Sequence, residues 1–232
     1  MTEFELSAAN TAIRRATIID EPAHVEERLQ VLDPGLSSPL LRNPIMAGLS
    51  GRNEVTRASA PTAAGVQQWL NTVEVLRTLL ASAKWHIHEQ QNCPFITSPD
   101  RTVSIVVMTG NSETGKNGFE DPTNQAEKGA VAEDFVQKNH QLELFNRDSF
   151  NLVKDNHKGT QVWALLYHYD KALNEVRYEL SLPTAFRNKK ITEWGERIIL
   201  GSIPNHPSDF AVPDDKPNTP VLVDVEPKIG AF

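Results

Sequence analysis

The chain has 232 residues, of which 39% are hydrophobic and 23% are charged, and its formal net charge at pH 7 is −7. This length supports one sizeable domain, and no stretch approaches the roughly 18 consecutive apolar residues that a membrane span requires, so we expect no membrane contact. The acidic balance opposes nonspecific binding to nucleic acid, because phosphate contacts need local positive charge. Cys93 is the single cysteine, so the chain can form neither an internal disulfide nor a multi-cysteine zinc site.

Residues 1–60 are predicted to form an N-terminal arm of short helices, because prolines and glycines interrupt the apolar clusters. The clearest helix spans residues 22–32, where Val25, Leu29 and Leu32 share one face and Pro22 lies in the first turn. The first residues place acidic side chains before basic ones and contain no unbroken apolar run, unlike a secretory signal. We therefore expect a cytoplasmic protein.

Two longer helices are predicted. One covers residues 129–145 and carries Phe135 and Val136 among its apolar positions. The other covers residues 64–83 and has the clearest helical periodicity in the chain. Its apolar residues recur at steps of three and four: Val66, Trp69, Leu70, Val73, Leu76, Leu79 and Leu80.

Two antiparallel hairpins are predicted from short apolar runs joined by turn residues. The first joins residues 94–98 to 102–109, and the second joins 160–170 to 175–182; residues 191–200 supply a further strand. In the strand from 175 to 182 the apolar and polar residues alternate, which puts Arg177 and Glu179 on one face. We interpret these two as a charge pair on a half-exposed sheet.

The composition changes after residue 200, where five prolines fall between positions 204 and 220. We predict an extended tail over residues 201–232, with residues 221–225 as an edge strand. The sequence thus predicts an α+β fold in which an antiparallel sheet packs on the helix of residues 64–83. Its parts are the arm at 1–60, the core domain at 61–200 and the tail at 201–232.

The spacing of Gly110, Gly115 and Lys116 matches that of a phosphate-binding loop. Such a loop also needs a hydroxyl residue after the lysine and a helix that directs its positive end at the phosphates. Asn117 replaces the hydroxyl residue, Gly118 and Pro122 interrupt the expected helix, and no repeated strand-helix units indicate a parallel sheet. We interpret the segment as a strand followed by a polar loop and assign no cofactor; nucleotide binding is the alternative.

Asp214, Glu226 and Lys228 are spaced as in metal-dependent nucleases, where two acids hold a divalent cation and the lysine orients the attacking water. Pro227 lies inside this motif and favours an edge strand over the central strand that such a site uses. The three residues are the alternative to our leading expectation, which assigns no catalytic residue.

His86 and His88 lie on one side of an extended segment and could contribute two zinc ligands. A zinc site needs three or four ligands, and no further ligand is in register with these two. We assign no metal.

Four segments together resemble a family of uncharacterised bacterial proteins associated with plasmids, integrative elements and defence-rich regions. They are PTAAGVQQWLNTVEVLRTLL, SPDRTVSIVVMTGNSETG, RYELSLP and ITEWGERIIL, and the resemblance covers residues 60–200. It implies that Lys116 is incidental, since the family loop keeps its Thr-Gly pairs without a lysine, and it implies no catalytic residue. It also argues against the nuclease, because the family end lacks a regular Glu-x-Lys.

Our leading hypothesis is a noncatalytic protein-binding or accessory component of a bacterial mobile-element or anti-phage system. The lack of a complete catalytic constellation, the acidic balance and the long ends suited to wrapping a protein partner support it.

Overall fold

The structure, a computed structural model, describes residues 15–148 and 159–205. The described helices are α1 (Pro22–Leu32), α2 (Ser38–Asn53), α3 (Ala63–Ser82) and α4 (Ala130–Asp148). The described strands are β1 (Thr17–Ile19), β2 (His86–Gln90), β3 (Cys93–Thr97), β4 (Val103–Thr109), β5 (Gln161–Asp170), β6 (Glu175–Arg187) and β7 (Lys190–Pro204). The predicted α+β class is therefore confirmed.

The strands form one seven-stranded sheet in the order β1-β7-β6-β5-β4-β3-β2. Both predicted hairpins are present, since β3 pairs antiparallel with β4 and β5 pairs antiparallel with β6. The sheet is largely antiparallel but mixed, because β1 is parallel to β7 and β4 is parallel to β5. The parallel pair β4–β5 arises because the chain returns through α4 before it forms β5.

Helices cover both faces of the sheet. Those from α1 to α3 pack on one face around a core that includes Leu29, Ile45, Leu76 and Trp163. On the other face α4 packs mainly on β5 and β6, where Phe135 joins a second core. The described part of the predicted N-terminal arm thus shares its core with the sheet, and β7 continues to Pro204, past the predicted start of the tail.

The predicted main helix is present as α3, but its buried stripe is rotated from the predicted one. Val66 and Leu70 are exposed, whereas Gln68 and Thr72 are buried. The reason is close packing against α2: a Cβ at Gly48 would collide with the Thr72 hydroxyl. Thr72 satisfies that hydroxyl by donating to the Gln68 carbonyl oxygen at 2.7 Å, so the contact needs no apolar side chain.

Among the helices of the described residues, none combines the length and apolar character needed to cross a membrane. The predicted strand at 221–225 lies outside the described residues.

Candidate functional site

The loop that follows β4 lies over the polar face of β6 and β7. Glu179 and Arg197 meet beneath it, with Arg197 Nη2 2.7 Å from Glu179 Oε2 and Arg197 Nε 3.1 Å from Glu179 Oε1. Both side chains are 0% exposed. The same Glu179 Oε2 accepts the backbone N–H of Gly115 at 2.8 Å, so the ion pair anchors the loop.

Arg177 anchors a neighbouring part of this loop. Its Nε donates to the Thr114 carbonyl oxygen at 3.1 Å, and its Nη2 donates to the Ser112 carbonyl oxygen at 2.9 Å. Its charge is balanced by Asp170, at 2.9 Å. The interpretation of Arg177 and Glu179 as a pair on a half-exposed face is wrong in both respects, because the loop buries them and each binds a different partner.

The two glycines of the nucleotide-loop spacing have packing roles. Gly115 has φ +72°, and a Cβ there would lie 2.8 Å from the Arg177 Cβ. A Cβ at Gly110 would collide with the Thr114 hydroxyl. The Gly115 amide is already bonded to a buried carboxylate, and Lys116 lies 3.4 Å from Glu113, so this geometry offers a phosphate no cradle.

One argument from the sequence against a nucleotide loop does not apply. The strand before the loop does have a parallel neighbour, because β4 pairs with β5. The other arguments remain: Asn117 replaces the hydroxyl residue, and no helix begins after Lys116 until Ala130.

His86 and His88 lie on one face of β2. His88 stacks on Phe95 with ring centroids 5.2 Å apart, and its Nδ1 is 3.4 Å from the Thr97 hydroxyl oxygen. Within residues 15–148 and 159–205, no group of three or more His, Cys, Asp or Glu residues is placed to hold a metal ion. The contacts of His88 are packing contacts within the β2–β3 hairpin.

A groove of about 830 Å³ lies beside these histidines, on the face of the sheet that α4 covers only in part. It exists because α4 packs mainly on β5 and β6, which leaves β2, β3 and β4 with little cover on this side. Its walls come from the three strands, α4 and the start of β5. Its lining includes His86, His88, Phe95, Arg101, Phe135 and Lys138.

The floor of the groove is apolar, and its end beside the β3–β4 turn is basic. Phe95 and Phe135 pack edge to face with centroids 6.1 Å apart. His86 pairs across the sheet with Thr97, which places it near the β3–β4 turn that carries Arg101. In the described part of the chain, the Arg101 side chain has no ion pair or hydrogen bond, whereas Lys138 is 2.7 Å from Asp134.

Strand β2 forms one edge of the sheet, and all five of its residues are exposed. It joins β3 through Gln91 and Asn92, whose φ values of 48° and 63° are those of a two-residue hairpin turn. This turn makes Gln90 and Cys93 a hydrogen-bonded pair, so the backbone N–H and C=O of Ile87 and Glu89 point away from β3. Among the described strands, none pairs with this outer edge.

The remaining sequence candidates add no catalytic group here. Asp214, Glu226 and Lys228 lie outside the described residues. Burial raises the pKa of the Cys93 thiol, which keeps it protonated and a poor nucleophile at neutral pH.

Sequence reasoning found the two histidines but missed Arg101 and the open edge. Residues 86–90 carried a signal for the open edge. His86, His88 and Gln90 fall on one face of an extended strand and Ile87 and Glu89 on the other, so both faces carry polar residues that favour contact with solvent. No family model, curated protein or solved structure matches the chain.

Proposed function

We propose that the protein is a noncatalytic protein-binding component that takes up an extended, acidic segment of a partner protein along β2. The observation that carries this proposal is the position of the outer edge of β2, with which no described strand pairs, beside a groove of about 830 Å³. The partner segment would pair with the edge as an added strand and direct alternate side chains toward the groove.

The edge itself favours strand addition. Exposed edges in soluble proteins are commonly blocked by charged side chains, especially lysine, by proline or by a bulge. Strand β2 contains no lysine, proline or bulge, and its one charged residue, Glu89, lies 3.4 Å from Arg77. The outward N–H and C=O groups of Ile87 and Glu89 supply main-chain hydrogen bonds, and Ile87, which is 52% exposed, supplies apolar contact on the face opposite the groove.

Charge supports an acidic partner segment. Among the described residues, the Arg101 side chain has no ion pair or hydrogen bond, so it contributes an unpaired cation beside His86. Lys138 also lines the groove, but it is paired with Asp134 in the same wall. The chain as a whole carries −7, so this basic end of the groove is a local exception that would select for aspartate and glutamate side chains.

A binding screen with a displayed library of random peptides tests the proposal. We expect enriched peptides to carry acidic residues at alternate positions, and Arg101→Glu to weaken their binding by roughly tenfold. Arg57→Glu is the matched control, because Arg57 is exposed on the α2–α3 connection, on the other side of the sheet, and makes the same charge change. Absence of acidic peptides, equal loss in both variants, or binding of nucleic acid in place of peptide would contradict the proposal.

The biological setting in this proposal is the one that the sequence resemblance implies, a bacterial mobile-element or anti-phage system. An accessory protein is encoded near the protein that it serves. We therefore expect a neighbouring gene to encode a protein with an exposed acidic segment, and a synthetic peptide of that segment to bind the groove. Failure of such a peptide to bind would remove this setting from the proposal.

A further inference from the structure

A second cavity lies at the carboxyl ends of the parallel strands β4 and β5, on the side of α2 and α3. It has a volume of about 170 Å³, and its walls come from these two helices, the strand ends and the β5–β6 turn. Its wall includes Arg52, Gly65, Gln68, Tyr167, His168 and Lys171. The carboxyl ends of parallel strands are where such sheets bind their ligands.

Two buried polar groups in this wall have no hydrogen-bond partner among the described residues. They are the Gln68 side-chain nitrogen and the Tyr167 hydroxyl, on residues that are 1% and 2% exposed. The Gln68 Oε1 accepts from Arg52 Nη1 at 3.3 Å, which leaves the amide nitrogen as its free donor. Because buried polar groups are almost always hydrogen-bonded, two orphans in one small cavity indicate an absent ligand.

Burial raises the pKa of Tyr167, so its hydroxyl stays protonated and able to donate at neutral pH. The Gln68 amide nitrogen is also a donor. Both orphaned groups are therefore donors that lack an acceptor among the described residues.

The wall is positively charged. Arg52 is held 3.9 Å above the Tyr169 ring and, like Lys171, has no carboxylate partner among the described residues. The lining includes no aspartate or glutamate, and the adjacent Asp170 is bound to Arg177. His168 uses its Nδ1 on the Gly110 carbonyl oxygen, at 3.1 Å.

We infer that this cavity binds a phosphate group, as inorganic phosphate or as the terminal group of a small phosphomonoester. Four residues whose side chains carry donors, Arg52, Gln68, Tyr167 and Lys171, line it from two helices, a strand and a turn. Donors that converge from several directions suit a tetrahedral oxyanion better than a planar carboxylate. The volume is below the roughly 300 Å³ at which sites for larger ligands begin, which limits the ligand to a group of this size.

Calorimetric titration of the full chain with inorganic phosphate tests the inference, with glycerol phosphate, acetate and chloride at equal ionic strength as comparisons. We expect saturable binding of phosphate and a matching rise in melting temperature. Binding of glycerol phosphate as well would identify the phosphomonoester as a ligand, and binding of phosphate alone would identify the free ion. Equal effects of phosphate and chloride, or binding of acetate alone, would overturn the inference.

Tyr167→Phe removes only the orphaned hydroxyl. Since that hydroxyl has no partner in the described part of the chain, we expect the variant to keep its stability without ligand while its phosphate affinity falls at least about tenfold. Tyr178→Phe is the control for affinity, because Tyr178 is equally buried and its hydroxyl is hydrogen-bonded to Arg42, outside the cavity wall; this variant should lose stability and keep its phosphate affinity. If Tyr167→Phe loses stability and keeps its affinity, the hydroxyl serves the fold and the inference fails.

Two further variants keep the test independent of Tyr167. Lys171→Met removes an exposed cation of the β5–β6 turn and is expected to weaken phosphate binding without unfolding the chain. Gly65→Leu is expected to weaken binding, because Gly65 lines the cavity and a Cβ there meets no atom within 4 Å, which leaves the larger side chain room to occupy part of it. Unchanged affinity in both variants would overturn the inference.

Discussion

Arg197 and Glu179 form a doubly bonded ion pair that is wholly buried between the sheet and the loop after β4, with N–O distances of 2.7 and 3.1 Å. The pair is also linked to that loop, since Arg197 Nη2 donates to the Lys116 carbonyl oxygen at 3.0 Å and Glu179 accepts from the Gly115 amide. The segment that resembles a nucleotide loop in sequence is therefore held in place by two charges beneath it.

Replacement of Glu179 by Gln should destabilise the fold strongly. The change puts a neutral amide in place of the buried carboxylate and leaves Asp121, at 3.3 Å, as the remaining carboxylate partner of Arg197. Breaking a buried pair costs about 3–5 kcal/mol when the charge is left unpaired, so we expect a loss near the lower end of that range. Urea unfolding measures the loss. Glu193→Gln is the control, because its pair with Arg187 is exposed and should change the free energy of unfolding by less than about 1 kcal/mol. Similar losses in the two variants would contradict the role given to the buried pair.

Gly115→Ala should also destabilise the fold, by about 1–3 kcal/mol. The backbone there has φ +72°, and the new Cβ would press against the Arg177 side chain. Thermal unfolding measures the effect. At Gly129 a Cβ meets nothing within 4 Å, so Gly129→Ala should be close to neutral. A neutral Gly115→Ala would show that the loop can move off Arg177 without cost.

The stability of the fold should fall in acid through Asp170. Its hydrogen bond from Arg177, helped by the backbone N–H of Leu173, lowers the pKa of this carboxyl from 3.8 to about 2. A lowered pKa in the folded state means that the contribution is present above the unfolded value and is lost as the pH falls through the folded one. Melting temperatures between pH 5 and pH 2 should therefore fall less steeply for Asp170→Asn than for the unchanged protein. Parallel curves would contradict this account.

Incubation of the protein with DNA and RNA in the presence of Mg²⁺ or Mn²⁺ should leave both substrates intact. The reason lies in the sequence: the nuclease alternative rests on Asp214, Glu226 and Lys228, and Pro227 inside that motif favours an edge strand over the central strand that such a site uses. Gel electrophoresis of the substrates checks this. Cleavage that disappears in Glu226→Ala would replace the protein-binding proposal with the nuclease.

The local elements of this fold were predictable from sequence, while its long-range partners were not. The apolar periodicity of α3 and the turns at residues 99–101 and 171–174 are local signals, and all three elements are present. The parallel pairing of β4 with β5 depends on where α4 returns the chain. Likewise, Glu179 pairs with Arg197 on β7 because the β6–β7 register brings them together, and its burial depends on the path of a distant loop.

In the candidate site, too, the local features were predictable from the sequence and the long-range contacts were not. His86 and His88 could be recognised from the sequence as residues on one face of a strand. Their spacing suits two metal ligands, but among the described residues no third ligand lies near them. Arg101 looked like an ordinary turn residue, and only the pairing of β2, β3 and β4 places it at the end of the groove. The cavity around Tyr167 unites α2, α3 and the ends of two strands, which no sequence pattern brings together.

The most direct test of strand addition at β2 compares Ile87→Pro with Ile87→Thr. Proline removes an N–H that points away from β3, so the hairpin should survive while an added strand loses a main-chain hydrogen bond and meets the proline ring. Threonine keeps that N–H and the β-branched shape. Fluorescence anisotropy with an enriched acidic peptide should show binding by Ile87→Thr and at least about tenfold weaker binding by Ile87→Pro. Equal affinity of the two folded variants would contradict the proposal that the partner pairs with this edge.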